Sequence, residues 1–85
     1  MTQEPWPLAV ERLAYNAWEY AWEFNGRNEQ RPRLLGNEER SVVKSRMLRA
    51  NAILSAHTQE TSNEAERARE TYEFYRLKLQ PYLKP

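Results

Sequence analysis

The chain has no cysteine, no aspartate and a single histidine, His57, among its 85 residues. Without cysteine it can form neither disulfide bonds nor thiolate metal sites. Without cysteine and aspartate, the Cys-His and Ser-His-Asp catalytic arrangements cannot be assembled, and only a glutamate variant is left. His57 falls on an apolar helical stripe. We therefore interpret it as a core residue with one hydrogen bond and predict no catalytic residue.

Glycine is also scarce, since Gly26 and Gly36 are the only two. Two isolated glycines cannot build a glycine-rich phosphate-binding loop. Three glutamates lie close together in sequence, but on one short segment and without the paired Glu-x-x-His motif of metal-binding helical bundles; they are Glu60, Glu64 and Glu66. We therefore expect no metal site and no cofactor, and we expect that the protein is not an enzyme.

Long hydrophobic runs are missing as well. No stretch approaches the ~20 apolar residues of a membrane span, and the first ten residues, MTQEPWPLAV, lack the features of a signal peptide. We expect a cytoplasmic protein without membrane contact, which also fits the absence of cysteine. Thirteen basic and twelve acidic residues give a net charge of +1, so the whole molecule attracts neither nucleic acid nor anionic lipid strongly.

The residues that are present favour an all-α fold. All twelve acidic residues are glutamate, which is a good helix former, whereas aspartate and glycine belong to caps and turns. Pro5 and Pro7 suit the first turn of a helix, and Gly26 is a natural stop at its end. Helix 1 is therefore predicted over about residues 6–25. A loop over 26–36 follows, which we expect Leu34 and Leu35 to anchor to the core.

Two further helices are predicted. Helix 2 covers about residues 37–58, with Asn37 as its cap. Helix 3 covers about 62–80. It begins at a capping box formed by Thr61 and Glu64, and it ends at or just before Pro81.

An alternative remains open, because the apolar stripes of helices 2 and 3 are almost in phase. The two could form one bent helix of about forty residues, which would require a dimer. We favour a single domain over 1–85, built as a small three-helix bundle or as a helical hairpin plus the N-terminal helix. Because so short a chain buries limited surface, we expect a homodimer.

Helix 1 contains the repeat AWEYAWEF over residues 17–24. At about 100° per residue, its smallest side chains form one narrow strip; they are Val10, Ala14, Ala17 and Ala21. One flank of the strip carries Trp6, Leu13, Tyr20 and Phe24, and the other carries Tyr15, Trp18 and Trp22. Because small residues let other helices approach closely and the apolar arc is wide, helix 1 is predicted to be central.

The wall formed by Tyr15, Trp18 and Trp22 is larger than the apolar patch that a monomer usually exposes. Either helices 2 and 3 or a second copy cover it, or it binds a foreign protein. In helix 3, Phe74 and Leu77 form an apolar pair on the face opposite the main stripe. The predicted partner-binding residues are Tyr15, Trp18, Glu19, Trp22, Glu23, Phe74 and Leu77.

Charge is unevenly distributed along the chain. Residues 1–25 have a balance of −3, whereas residues 26–57 have a balance of +4. The basic residues of the second segment could contact phosphates; they are Arg27, Arg31, Arg33, Arg40, Lys44, Arg46 and Arg49. We do not favour nucleic-acid binding, because the loop lacks interleaved aromatics and no helix-turn-helix or zinc-finger pattern is present.

Arg46 lies at the margin of the apolar stripe of helix 2. It either lays its stem on the core and raises its head to water, or it pairs with a glutamate of a neighbouring helix or subunit.

These observations predict a non-catalytic helical interaction protein that binds a protein partner. Its size and its lack of a catalytic constellation suit a small inhibitor or adaptor, such as those that phages and mobile elements direct against host machinery. The alternatives are a nucleic-acid-binding helical module that uses residues 27–49, and a structural homo-oligomer subunit.

Overall fold

The computed structural model describes residues 3–84. Pro85 lies outside this range, and so do Met1 and Thr2, the first two residues of the segment MTQEPWPLAV. It contains three α-helices: α1 (Trp6–Phe24), α2 (Asn37–Ala56) and α3 (Asn63–Leu83). The prediction of an all-α three-helix bundle is confirmed. The alternative of one long helix is wrong, because six residues separate α2 from α3.

Helix α1 ends where glycine predicted it to end. The N–H of Gly26 donates to the carbonyl of Glu23 at 3.0 Å, and the N–H of Arg27 donates to the carbonyl of Trp22 at 2.9 Å. This is a Schellman motif, which requires a left-handed residue, and Gly26 has a φ of 70°. Asn25, the last residue of the helix predicted over 6–25, is therefore the cap, and the helix itself ends at Phe24.

The loop after α1 is fastened at two points. The Asn25 side chain donates to the carbonyls of Asn28 at 2.7 Å and Arg31 at 3.0 Å. The N–H of Leu35 donates to the carbonyl of Tyr82 at 2.9 Å, and the Leu35 side chain is buried. Leu34 remains exposed, so the expectation that both leucines anchor the loop is wrong for Leu34.

Both predicted helix caps are shifted by one residue. The cap of α2 is Gly36, which has no side chain to accept a hydrogen bond, and Asn37 is the first helical residue. The cap of α3 is Ser62, whose Oγ accepts from the N–H of Ala65 at 3.2 Å. Thr61 therefore does not form the predicted capping box, because the hydroxyl one residue later reaches the free N–H.

Helix α3 also continues through Pro81 to Leu83, beyond the predicted end near residue 80. A proline lacks the N–H that would bond to the carbonyl four residues earlier, which normally ends or bends a helix. Here Tyr82 is almost fully buried and its carbonyl accepts from Leu35. These tertiary contacts hold the last turn in helical form.

The helices run up, down and up around α1. Trp6 meets His57 and Asn16 meets Arg46, so α2 is antiparallel to α1. Glu11 meets Thr71 and Tyr15 meets Tyr75, so α3 is parallel to α1. Both helices pack closely on α1 and contact each other much less. The small strip of α1 is completely buried, as expected of a central helix; its members are Val10, Ala14, Ala17 and Ala21.

Candidate functional site

Three aromatic side chains form a continuous column along α1. Tyr15 and Trp18 have ring centroids 6.1 Å apart, and Trp18 stacks on Trp22 at 5.5 Å with an interplanar angle of 11°. Spacings of three and four residues place these side chains on neighbouring positions of one helix face. The wall predicted from the AWEYAWEF repeat therefore exists as one row of neighbouring rings, of which Trp18 and Trp22 are stacked.

Helix α3 adds two more rings to this column. The Tyr75 ring lies 5.9 Å from that of Tyr15 and 5.8 Å from that of Trp18, and Phe74 meets Tyr75 edge-on at 5.1 Å. We call these five rings, with the neighbouring side chain of Leu77, the aromatic surface. Helix α3 covers the rings of α1 along their inner edge only. Tyr15 is 42% exposed and Phe74 is 53% exposed at the outer edge.

Leu77 borders a depression next to Trp18. The depression has a volume of about 280 Å³, and Pro81 and the loop residue Pro32 also line it. Leu77 itself is 51% exposed. The apolar pair predicted on the far face of helix 3 thus lies beside the wall of α1, so the two sets of predicted partner-binding residues form one surface.

Charged groups of both signs border the aromatic surface. The Lys78 ammonium lies 4.8 Å from the Trp18 centroid and 5.1 Å from that of Phe74. The Tyr15 hydroxyl donates to Glu19 at 3.1 Å, and this carboxylate raises the pKa of Tyr15. Glu23 pairs with Arg27 at 3.5 Å. Both predicted glutamates therefore border the surface, already engaged with neighbouring side chains.

Trp22 carries an unsatisfied polar atom. Its Nε1 is buried and has no hydrogen-bond acceptor among residues 3–84. The Arg27 guanidinium lies 5.6 Å from the Trp22 ring centroid, so the indole contacts a cation as well as the Trp18 ring. A buried donor without an acceptor costs ~1–3 kcal/mol.

The opposite flank of α1 faces α2. The Arg46 guanidinium lies 5.2 Å from the Tyr20 ring centroid, and its Nη1 donates to the carbonyl of Asn16 at 3.4 Å. Among the ion pairs of the described residues, none involves Arg46. Its head therefore lies on an aromatic ring and a carbonyl of α1. Neither predicted arrangement, a head raised to water or a glutamate partner, describes it fully.

The structure does not unite the basic residues proposed as a nucleic-acid site. Arg27 folds back onto α1, and Arg46 turns towards Tyr20. Arg31 and Arg33 are exposed in the loop at one end of the bundle. The remaining three line an open depression along the outer face of α2; they are Arg40, Lys44 and Arg49.

His57 is also placed differently from the prediction. It caps α2 and remains partly exposed, and its Nδ1 lies 2.8 Å from Oε1 of Glu60. It is not a core residue, because α2 ends at Ala56 and the ring stacks outside the helix on Trp6.

The sequence analysis did not predict Tyr75, a member of the aromatic surface, or Lys78, a residue at its border. Tyr75 lies on the apolar stripe of helix 3, which is typical of a core residue. Lys78 is a charged residue in a polar helix. Its spacing of four from Phe74 and three from Tyr75 was the available signal, because such spacings bring side chains together.

Within residues 3–84, no three side chains of the usual metal-ligating types cluster closely enough to hold an ion. No helix of that range has both the length and the apolar character needed to cross a bilayer. Comparison with protein-family models, with curated proteins and with solved structures found no match.

Proposed function

We propose that this chain is a non-catalytic helical interaction protein that binds a protein partner through the aromatic surface. The observation that supports this most directly is the column of five rings, built from two helices and open at its outer edge. Tryptophan and tyrosine dominate the binding energy of many protein interfaces. Rings supplied by α1 and α3 together are held rigidly, which lowers the entropic cost of binding.

The surroundings of the rings favour a protein over a phosphate or a membrane. The depression beside Trp18 can receive an apolar side chain of a partner, as the centre of an interface does. Lys78 and Arg27 lie near the rings together with Glu19 and Glu23, so the border has no dominant sign. Phosphates and anionic lipids select a basic border, whereas proteins accept mixed ones.

The proposed biological role is that of a small inhibitor or adaptor, of the kind that phages and mobile elements direct against host machinery. This proposal is supported by the size of the chain, 85 residues, and by a surface built of rings without a reactive group.

Two matched substitutions test the proposal. Leu77→Glu places a charge at the aromatic surface, and Leu48→Glu places the same charge on α2; both leucines are more than half exposed, so both variants should fold. The immobilised variants are incubated with an extract of the source cells, and retained proteins are identified by mass spectrometry. We expect a partner that wild type and Leu48→Glu retain and Leu77→Glu loses. A partner retained equally by all three would contradict the proposal.

Oligomerisation is measured on the same variants, because a second copy is also a protein that the aromatic surface could bind. The homodimer therefore remains a prediction. Light scattering that shows a dimer for wild type and a monomer for Leu77→Glu would identify the partner as a second copy and favour the structural homo-oligomer. If wild type stays monomeric and retains no protein, the proposed function is wrong.

A further inference from the structure

A second apolar surface lies between α2 and α3, away from the aromatic surface. Because both helices pack on α1 and contact each other little, a groove of about 270 Å³ remains between them. We call it the α2–α3 groove; its apolar side chains are Met47, Leu48, Tyr72, Leu79 and Leu83. Leu48 is 68% exposed, more than any other large apolar side chain of residues 3–84.

The shape of the groove suits a helix. Its α2 side spans residues 44 to 51 and its α3 side spans residues 72 to 83, which correspond to ~10 and ~16 Å of helix axis. Lining positions spaced by three and four residues form a ridge on each side. An added helix would lie between the two ridges as the fourth member of the bundle.

The α2 rim of the groove is positively charged. Lys44 borders the groove there, whereas Arg76 on the α3 side is already paired with Glu73 at 2.9 Å, so the unpaired positive charge comes from α2. The outer face of α2 adds Arg40 and Arg49, and residues 40–57 contain four basic residues and no acidic one. Within the described range, Arg40, Lys44 and Arg49 take part in no ion pair. An occupant with carboxylates along its edge would find free cations there.

We infer that the α2–α3 groove binds an amphipathic helix of a protein partner whose apolar stripe is flanked by acidic residues. Helix-in-groove recognition combines an apolar stripe with flanking charges that set specificity. Nucleic acid would pair with the cations but would leave Leu48 and the apolar floor without a partner. A second copy is a poor occupant, because its most acidic helix, α1, buries its apolar strip in its own bundle.

The test uses two fluorescein-labelled synthetic peptides of about 16 residues, long enough to fill the groove. Both carry leucine at helical spacings of three and four; one has glutamate at the flanking positions and the other has lysine. Binding to the full chain is measured by fluorescence anisotropy at low and at high salt. We expect the glutamate peptide to bind at least about tenfold more tightly, and the difference to shrink at high salt.

The leucine variants then locate the binding site. Leu48→Glu should weaken binding of the glutamate peptide by about tenfold or more, whereas Leu77→Glu should leave it unchanged. Circular dichroism on both variants checks that the helices are retained. Because the aromatic surface does not contribute to this binding, the result is independent of the proposed function.

Three outcomes would overturn the inference. The first is that neither peptide binds, or that both bind equally. The second is that Leu77→Glu weakens binding as much as Leu48→Glu does. The third is that a labelled DNA duplex binds in place of the peptide, with an affinity that Leu48→Glu leaves unchanged but that Lys44→Glu combined with Arg49→Glu removes.

Discussion

The indole ring of Trp6 stacks on the imidazole ring of His57, with centroids 4.3 Å apart and planes 5° apart. Trp6 is the first residue of α1 and His57 caps α2, so the stack joins two helix ends that are distant in sequence. Glu60 binds both rings: its Oε2 accepts from Trp6 Nε1 at 2.9 Å and its Oε1 lies 2.8 Å from His57 Nδ1. Arg69 donates to the carbonyls of His57 and Glu60, which ties α3 to the same junction.

The junction predicts a pH-dependent contribution to stability. Hydrogen bonds from His57 and from Trp6 lower the pKa of Glu60 below its ordinary value of 4.5. Its carboxylate therefore stabilises the folded chain fully above that ordinary pKa, and the contribution is lost as the pH falls through the lowered pKa. We expect Glu60→Gln to lower the Tm at about pH 6, and the difference from wild type to shrink towards about pH 3.

Thermal unfolding followed by circular dichroism measures this difference. Glu70→Gln is the matched control, because Glu70 is exposed and forms no ion pair within residues 3–84. A Tm difference for Glu60→Gln that stays constant across this pH range would show that the carboxylate charge does not stabilise the junction.

The cap of α3 yields a second prediction. Ser62 Oγ accepts from the N–H of Ala65, and loss of such a cap costs about 1 kcal/mol. Ser62→Ala should therefore lower the free energy of unfolding in urea by about that amount. Thr61→Ala, one residue earlier, should change it by less than about 0.5 kcal/mol. Equal losses for the two variants would contradict the assignment of the capping role to Ser62 alone.

The small strip of α1 yields a third prediction. Ala17 is completely buried where α1 meets its neighbours, so the extra carbons of leucine would force the helices apart. Overpacking of this kind costs ~1–3 kcal/mol, and Ala17→Leu should lower the free energy of unfolding by that amount. Ala52→Leu makes the same change at an exposed position of α2 and should cost less. Equal stability of the two variants would mean that the strip tolerates larger side chains.

The proline in α3 yields a fourth prediction. Pro81→Ala restores an N–H that can donate to the carbonyl of Leu77, four residues earlier. Alanine also raises the conformational entropy of the unfolded chain, which opposes this gain. We therefore expect a net increase of only ~1 kcal/mol in the free energy of unfolding. The exposed neighbouring substitution Gln80→Ala should change it by less than about 0.5 kcal/mol. A loss of stability for Pro81→Ala would show that packing of the proline ring stabilises the last turn.

Local signals in the sequence were sufficient for the order and approximate bounds of the helices, although they left open whether helices 2 and 3 were separate. Helical spacing of apolar residues, the prolines before α1 and Gly26 after it each act within a few residues of their own position. The central place of α1 was also predictable, because a strip of alanines between two aromatic walls is buried only when other helices pack on both sides of it. The column of Tyr15, Trp18 and Trp22 follows from the same spacing.

The tertiary structure decided what depends on residues far apart in the chain. Leu35 binds Tyr82 and keeps α3 helical beyond Pro81, and no local pattern encodes that contact. Packing of α3 parallel to α1 brought Tyr75, Phe74 and Leu77 to Trp18, about sixty positions away in sequence, and formed one surface from two. Helix formation is governed by interactions over three or four residues, whereas the meeting of two helix faces depends on how all three helices bury their apolar area together.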